Sequence, residues 1–481
     1  MSEPRTPAAI ADVPRERLRR NPLLSRDGWA LLERLLRHAY APRWNAAPGD
    51  GVRAEDLQVV DRFRASLASW EGPEGAGPPP EVVARVVAAL ASVPLLRNRA
   101  ADRVDPRRAW ASVPTTSRED LATRVEEMVP DDVDLGRLVA HETSGTTGHA
   151  IHVPTHPQAI ASHHALLEVV LARLRVPFRP RPGLMASVHL CCRARTWVFP
   201  AVFSVWREAG FAKVNLADAD WSRGRASARA FFADFAPSLW AGDPSAFDEA
   251  VRWDLPGAPL ALLSTATGLE PALARALERR FRCPVIDWYS TTETGPIAWR
   301  SGDGDGFEPI APDLYVEAID GEGRPVPEGE VGELAVSGGR NPYLPLVRYR
   351  TGDRGRITWI GRTGRGRTMR ILDLQGRRAV RFFRDDGRTL DAADVGRELR
   401  ARSELAQHAL LQRRDGSFEL RIRPLAGVPP AVAAVEAGMR ELLGRETRLE
   451  VVVDPALGLE GKVVPYRCEA TGPRCGAAAR G

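Results

Sequence analysis

The sequence predicts an α/β fold in two parts. A large N-terminal α/β domain with β-sheets and flanking helices spans 1–375, and a small C-terminal α+β domain spans 376–481. Three observations carry that prediction. A chain of 481 residues exceeds what one hydrophobic core organises. From Val139 to Asp353, apolar strand-like runs alternate with helical patterns, the mark of an α/β sheet. Beyond a basic, glycine-dotted stretch, helices and strands alternate again over a length that suits a separate domain.

In chain order, residues 1–110 read as a mainly helical leader. Leu31, Leu32, Leu35 and Leu36 share one face of a helix over 28–40. Further helices are expected over 54–70 and 81–90, with a Gly/Pro-rich loop over 71–80. Ser117 and Asp120 form a capping box in which Asp replaces Glu. Strands are expected over 183–190, 212–216, 238–241, 261–264 and 285–288. Helices fall at 157–174, 222–235 and 270–281, and hairpins between 315 and 337. The dense basic run from Arg362 to Arg384 lies where a linker is expected. The C-terminal unit reads as helix 392–401, strands near 409–413 and 418–422, helix 430–443 and strand 448–453.

Composition narrows the function classes. Apolar residues make 44% and charged residues 27%, as in soluble globular proteins. No apolar run approaches a membrane span, and the arginine- and proline-rich first twenty residues resemble neither a secretory signal nor an anchor. Five cysteines without a Cys-x-x-Cys spacing argue against structural zinc and disulfides, and a reduced cytoplasm is the expected compartment. The net charge of +5 is spread along the chain with acids interleaved, so neither nucleic acid nor membrane is the expected partner. Of 67 basic residues only Lys213 and Lys462 are lysines. A lysine kept against that bias suggests a site that needs a compact, mobile ammonium.

Four stretches carry chemistry. His141-Glu142-Thr143-Ser144-Gly145-Thr146-Thr147-Gly148 is a hydroxyl-rich loop between two strands, whose glycines and successive N–H groups suit a phosphate. It is not a Walker loop, since His149 follows Gly148. Asp287-Trp288-Tyr289-Ser290-Thr291-Thr292-Glu293-Thr294-Gly295 lies at the end of an apolar strand, where ligands of open α/β sheets bind. It offers a ring, a hydroxyl and, in Glu293, a carboxylate suited to Mg2+. Leu346-Val347-Arg348-Tyr349-Arg350-Thr351-Gly352-Asp353 reads as a turn whose aspartate suits a ribose diol. Pro455-Ala456-Leu457-Gly458-Leu459-Glu460-Gly461-Lys462 reads as a flexible loop presenting a lysine.

The order and spacing of these four resemble the adenylate-forming superfamily over about residues 85–465. Gly268-Leu269-Glu270-Pro271, the run Asn341 to Tyr349 and the run Val326 to Leu334 resemble its phenylacetate–CoA ligase branch. The resemblance implies activation of a hydrophobic or aromatic carboxylic acid with ATP and Mg2+, then transfer to CoA. Ser144, Gly145, Thr146, Thr147 and Gly148 would hold the β- and γ-phosphates. Gly268, Leu269 and Glu270 would line the adenine, Asp287 would reach its amino group and Tyr289 would stack on it, within a binding stretch that includes Trp288 and Ser290. Thr292 would touch the α-phosphate, Glu293 would bind Mg2+, and Asp353, with Arg377 near, would hold the ribose. Lys462 would bridge the substrate carboxylate and the α-phosphate. Trp197 and Phe199 are candidates for an acid pocket or for core packing, and Cys191-Cys192 for pocket wall.

The resemblance also implies a mobile small domain. Its usual hinge, Gly-Arg-x-Asp-Asp, is here Gly376-Arg377-Arg378-Ala379-Val380, without either aspartate. That departure bears on the second half-reaction. It leaves open a carrier-protein thiol or an amine as acceptor, and a degenerate nucleotide-binding protein. The oligomeric state stays open, a homodimer included.

Overall fold

The computed structural model describes residues 14–70, 77–100, 104–143, 151–302, 304, 306–310, 312–363, 366–376 and 380–470. An eight-stranded sheet forms its centre. In spatial order the strands are Glu308–Pro309, Gly295–Ser301, Val285–Thr291, Ala261–Ser264, Leu239–Gly242, Met185–Cys191, Ala209–Asn215 and Phe199–Phe203. The five from Val285–Thr291 to Ala209–Asn215 run parallel, and antiparallel pairs close both edges. Parallel strands are covered on both faces. One face carries the helices Arg225–Phe235, Pro244–Arg252 and Pro271–Phe281, with Phe231, Phe232, Trp240 and Phe247 wholly buried. The other face carries Pro157–Arg173, whose Ala161, Ala165 and Leu166 pack on Leu239, Ala261 and Ile286. Each fully buried Leu, Ile or Phe side chain among these contributes about 1.5–3 kcal/mol.

A second sheet holds Thr116–Ser117, Leu346–Thr363, Val331–Gly338 and Leu314–Ile319, with Gly366–Gln375 paired to Leu346–Thr363. The basic run expected as a linker therefore begins as strand. Met369 and Ile371 bury into the sheet core while Arg356 and Arg370 pair outward with Asp373 and Glu308. Arginine and glycine density hides that alternation in the sequence.

The C-terminal unit has its own four-stranded sheet, Leu449–Val453, Phe418–Pro424, Leu405–Gln412 and Tyr466–Cys468, covered by the helices Ala392–Arg402 and Val432–Leu443. Its core runs from Phe382 to Leu449. Ala406 and Leu425 instead join the core of the large unit, so the two parts share apolar contact as well as charge. No helix among the described residues is long and apolar enough to cross a membrane.

Candidate active site

The strand Val285–Thr291 splits the residues expected to act together. Successive side chains of a strand point to opposite faces. Trp288 and Ser290 turn toward the helix Pro157–Arg173 and line a cavity of about 1490 Å³. Asp287 and Tyr289 take the other face. Asp287 pairs with Arg300 at 2.7 Å, and burial pushes its carboxyl above the usual range although that guanidinium opposes the shift. Arg300 also donates to the Leu269 carbonyl at 3.4 Å, linking two residues that the sequence predicts near adenine. Tyr289 donates its hydroxyl to Asp353 Oδ2 at 3.1 Å.

At the strand exit Thr292 is exposed to the cavity and Glu293 is buried. Glu293 Oε1 accepts from Arg118 Nη1 at 3.0 Å and from the Tyr349 hydroxyl at 3.2 Å. Arg118, absent from the sequence prediction, starts the helix that the Ser117–Asp120 capping box fixes as expected. The capping motif marked the helix start but gave no sign that its first residue meets Glu293. Among the described residues no three His, Cys, Asp or Glu side chains converge as a metal cage. One carboxylate beside Thr292 nevertheless fits Mg2+, which relies on substrate phosphates and water for most of its ligands.

Asp353 reaches the cavity from a strand rather than from the expected turn. The ladder slips between Glu333 and Ala335, and Gly352 takes φ +79° with its N–H donating to Glu333 Oε1 at 3.2 Å. Such a bulge bends a strand and re-aims a side chain.

Lys462 also lines the cavity, on a loop that is pinned rather than free. Gly458, at φ +90°, packs so closely on Ser245 that a β-carbon would clash. Arg193 donates to the Gly458 carbonyl at 3.1 Å and pairs with Asp243. Arg423 is wholly buried and donates to the Leu457 carbonyl at 3.1 Å, to Asp248 at 2.7 Å and to Glu249. Of the adenine stretch, Gly268 is exposed, Leu269 belongs to the core, and Glu270 faces the small unit. Glu270 pairs with His408 at 3.3 Å and lies 3.9 Å from Arg400.

The cavity continues from Thr292, Asp353 and Lys462 into an aromatic end built by Phe203, Trp206, Phe211 and His164. His164 meets Phe203 and Trp206 edge-on with ring centroids 4.6 and 4.5 Å away, and burial lowers its pKa to about 4. Sequence reasoning missed His163 and His164. Two adjacent histidines inside an otherwise apolar helix were the available signal. The residues expected as pocket wall lie elsewhere. Trp197 is 66% exposed, and Cys192 is core, its thiol pushed up to about 12 by burial.

Ser144, Gly145, Thr146, Thr147, Gly148 and Arg377 lie outside the described residues. The strands expected on either side of the hydroxyl-rich loop form as Val139–Thr143 and Ile151–Thr155, and they pair antiparallel. Asn341 braces the outgoing strand, donating to the Pro154 carbonyl at 2.7 Å and accepting from His156 N at 3.2 Å.

Residues 138–341 match the AMP-binding enzyme family. Over that segment the chain is similar to AMP-binding enzymes. Its fold is similar to that of a 2-hydroxyisobutyryl-CoA ligase in the postadenylation state with R3-HIB-AMP, at a TM-score of 0.56 and 16% identity, covering 84% of this chain and 89% of that one. The same ligase with 2-HIB-AMP gives 0.55 at the same identity and coverage. No curated protein matches the chain in sequence.

Proposed function

We propose that this chain is an adenylate-forming enzyme that activates a hydrophobic or aromatic carboxylic acid with ATP to an acyl adenylate, then passes the acyl group to the thiol of CoA, in the manner of the phenylacetate–CoA ligase branch. One observation carries the reading. A single cavity is lined both by Thr292, Asp353 and Lys462 and by a cluster of aromatic rings. An acid with its ring in that cluster would present its carboxylate beside the threonine and the lysine.

The chemistry asks for alignment and charge neutralisation rather than a protein nucleophile. The acid carboxylate attacks the α-phosphorus, the acyl phosphate bond forms, and pyrophosphate leaves. Lys462 offsets the negative charge shared by carboxylate and α-phosphate, and Thr292 donates to the α-phosphate. Glu293 would hold Mg2+, which adds positive charge at the phosphates. Asp353, already bonded to Tyr289, takes the ribose hydroxyls with Arg377, and Ser144 to Gly148 take the outer phosphates. Gly268 and Leu269 border the adenine, and Asp287 meets it while sharing its carboxylate with Arg300. Trp288 and Ser290 are assigned to the acid, because their strand face packs toward the helix Pro157–Arg173 and away from Asp287 and Tyr289. The division into a large unit and a mobile small unit near residue 376 is part of the proposal.

The test is acid-dependent exchange of pyrophosphate into ATP across aryl and alkyl acids, followed by product analysis with CoA. Exchange with an aryl acid and a thioester product are expected. Exchange with no acid overturns the reading. Lys462→Ala should lower adenylation at least about a hundredfold while a supplied acyl adenylate still reacts with the thiol. Equal loss of both steps removes Lys462 from the bridging role.

A further inference from the structure

His163 lines the same cavity as Thr292, Lys462 and the aromatic rings. It lies on the helix Pro157–Arg173 and faces the strand exit that carries Thr292. Gly295, three residues beyond Thr292, has φ +66°, and a β-carbon built on it would lie 2.5 Å from His163 Nε2. The glycine thus opens the space that the imidazole fills, and the ring nitrogen sits against the backbone of the reactive strand exit. The same cavity is lined by Phe203 and Phe211, whose ring centroids lie 4.9 Å from each other.

This imidazole is half-buried, lines the cavity and has no hydrogen-bond partner among the described residues. Burial holds its pKa well below the ordinary histidine value, with the Arg340 charge acting in the same direction. It is therefore neutral at physiological pH and offers one N–H donor and one lone pair. A cavity-facing polar group that no protein group satisfies is a candidate for pairing by a ligand.

The geometry points to His163 as the residue that reads a hydroxyl or amino group next to the carboxyl of the bound acid, making the substrate class an aromatic acid substituted at the ring position closest to its carboxyl arm. This rests on the acid-activation reading above. The ring of such an acid fills the aromatic end, its carboxylate faces Thr292 and Lys462, and its neighbouring polar group meets His163. A site built to pair a polar group discriminates strongly against the analogue that lacks it, since the protein group is then left unsatisfied.

The test compares kcat/KM for pyrophosphate exchange with benzoate, 2-hydroxybenzoate, 2-aminobenzoate and 4-hydroxybenzoate, and with phenylacetate and its 2- and 4-hydroxy forms. The 2-substituted acids should exceed both the unsubstituted and the 4-substituted ones by about tenfold or more. His163→Leu should bring that ratio to about one, mostly by raising KM for the 2-substituted acids, and His163→Gln should restore part of it. Exchange with aryl acids but no 2-position preference overturns this assignment and leaves acid activation standing. A preference that survives in His163→Leu overturns it as well. Exchange with no acid overturns both readings. The wild-type panel alone decides the first outcome, whatever the folding of the variants.

Discussion

Two wholly buried arginines show how differently the large unit and the joint to the small unit are built. Arg348 lies inside the large unit, where its guanidinium spans both oxygens of Glu317 at 2.9 and 3.1 Å. It also donates to the carbonyls of Ala111, Val113 and Gly323. All these groups belong to one sheet and the segment packed on it. Arg423 makes a similar set of bonds between parts that the proposed cycle separates. It sits on the small sheet and reaches Asp248 and Glu249 of the helix Pro244–Arg252 and the Leu457 carbonyl of the lysine loop. Asp248 also binds Arg252 at 2.8 Å and the Ala426 N–H at 3.1 Å. The first arginine holds a fold together, whereas the second holds one arrangement of two folds. A buried pair that loses one partner leaves an uncompensated charge, and the place of that charge decides whether stability or catalysis suffers.

The largest effect should come from Arg348→Met. Glu317 is 4% exposed and would be left without its counter-charge, at a cost of about 3–5 kcal/mol. A fall in Tm of about 10 °C is expected for the large unit, read by calorimetry. A Tm within a degree or two of wild type would show that Arg348 and Arg423 do not differ in this way. Arg423→Met should cost less stability and more activity. In the proposed cycle the small unit moves away and exposes Asp248 and Glu249 to solvent, which would relieve their charge. Acid-dependent pyrophosphate exchange should fall about a hundredfold, corresponding to roughly 3 kcal/mol. Reaction of a supplied acyl adenylate should fall much less. A matched loss of Tm in the two variants would erase the distinction.

What the sequence disclosed follows the same division. Elements organised by short-range pattern were legible: the alternating apolar strands of the central sheet, the capping box at Ser117, and the helices of the C-terminal unit. Thr292, Asp353 and Lys462, read from motifs, do meet in one cavity. The bulge that aims Asp353 was not legible, because a slip of register depends on the partner strand as well as on Gly352. Arg423 was invisible as the anchor of the lysine loop, since Asp248 lies 175 positions away in a chain rich in arginine. His163 was missed because its meaning comes from the space left by Gly295 across the cavity, not from its neighbours in sequence.

The smallest effect, and the sharpest on the joint, concerns Glu270. It faces His408 at 3.3 Å, with Arg400 and Arg300 beyond, and His408 in turn bonds the Tyr466 hydroxyl at 2.9 Å. Burial alone would raise the Glu270 carboxyl, but the His408 hydrogen bond and these positive charges outweigh it and hold the carboxyl below its usual value. A depressed carboxylate stabilises the docked form at pH values above its ordinary titration range and loses that contribution as the pH falls through its docked value. Glu270→Gln keeps the shape and removes the charge, a loss of about 1.5 kcal/mol and so about tenfold in exchange at pH 7. The deficit relative to wild type should narrow as the pH is lowered through the carboxylate range, because the wild type then loses the same charge. A deficit independent of pH would mean that Glu270 acts through adenine contact or packing, and the joint would then rest on Arg423 and its carboxylates alone.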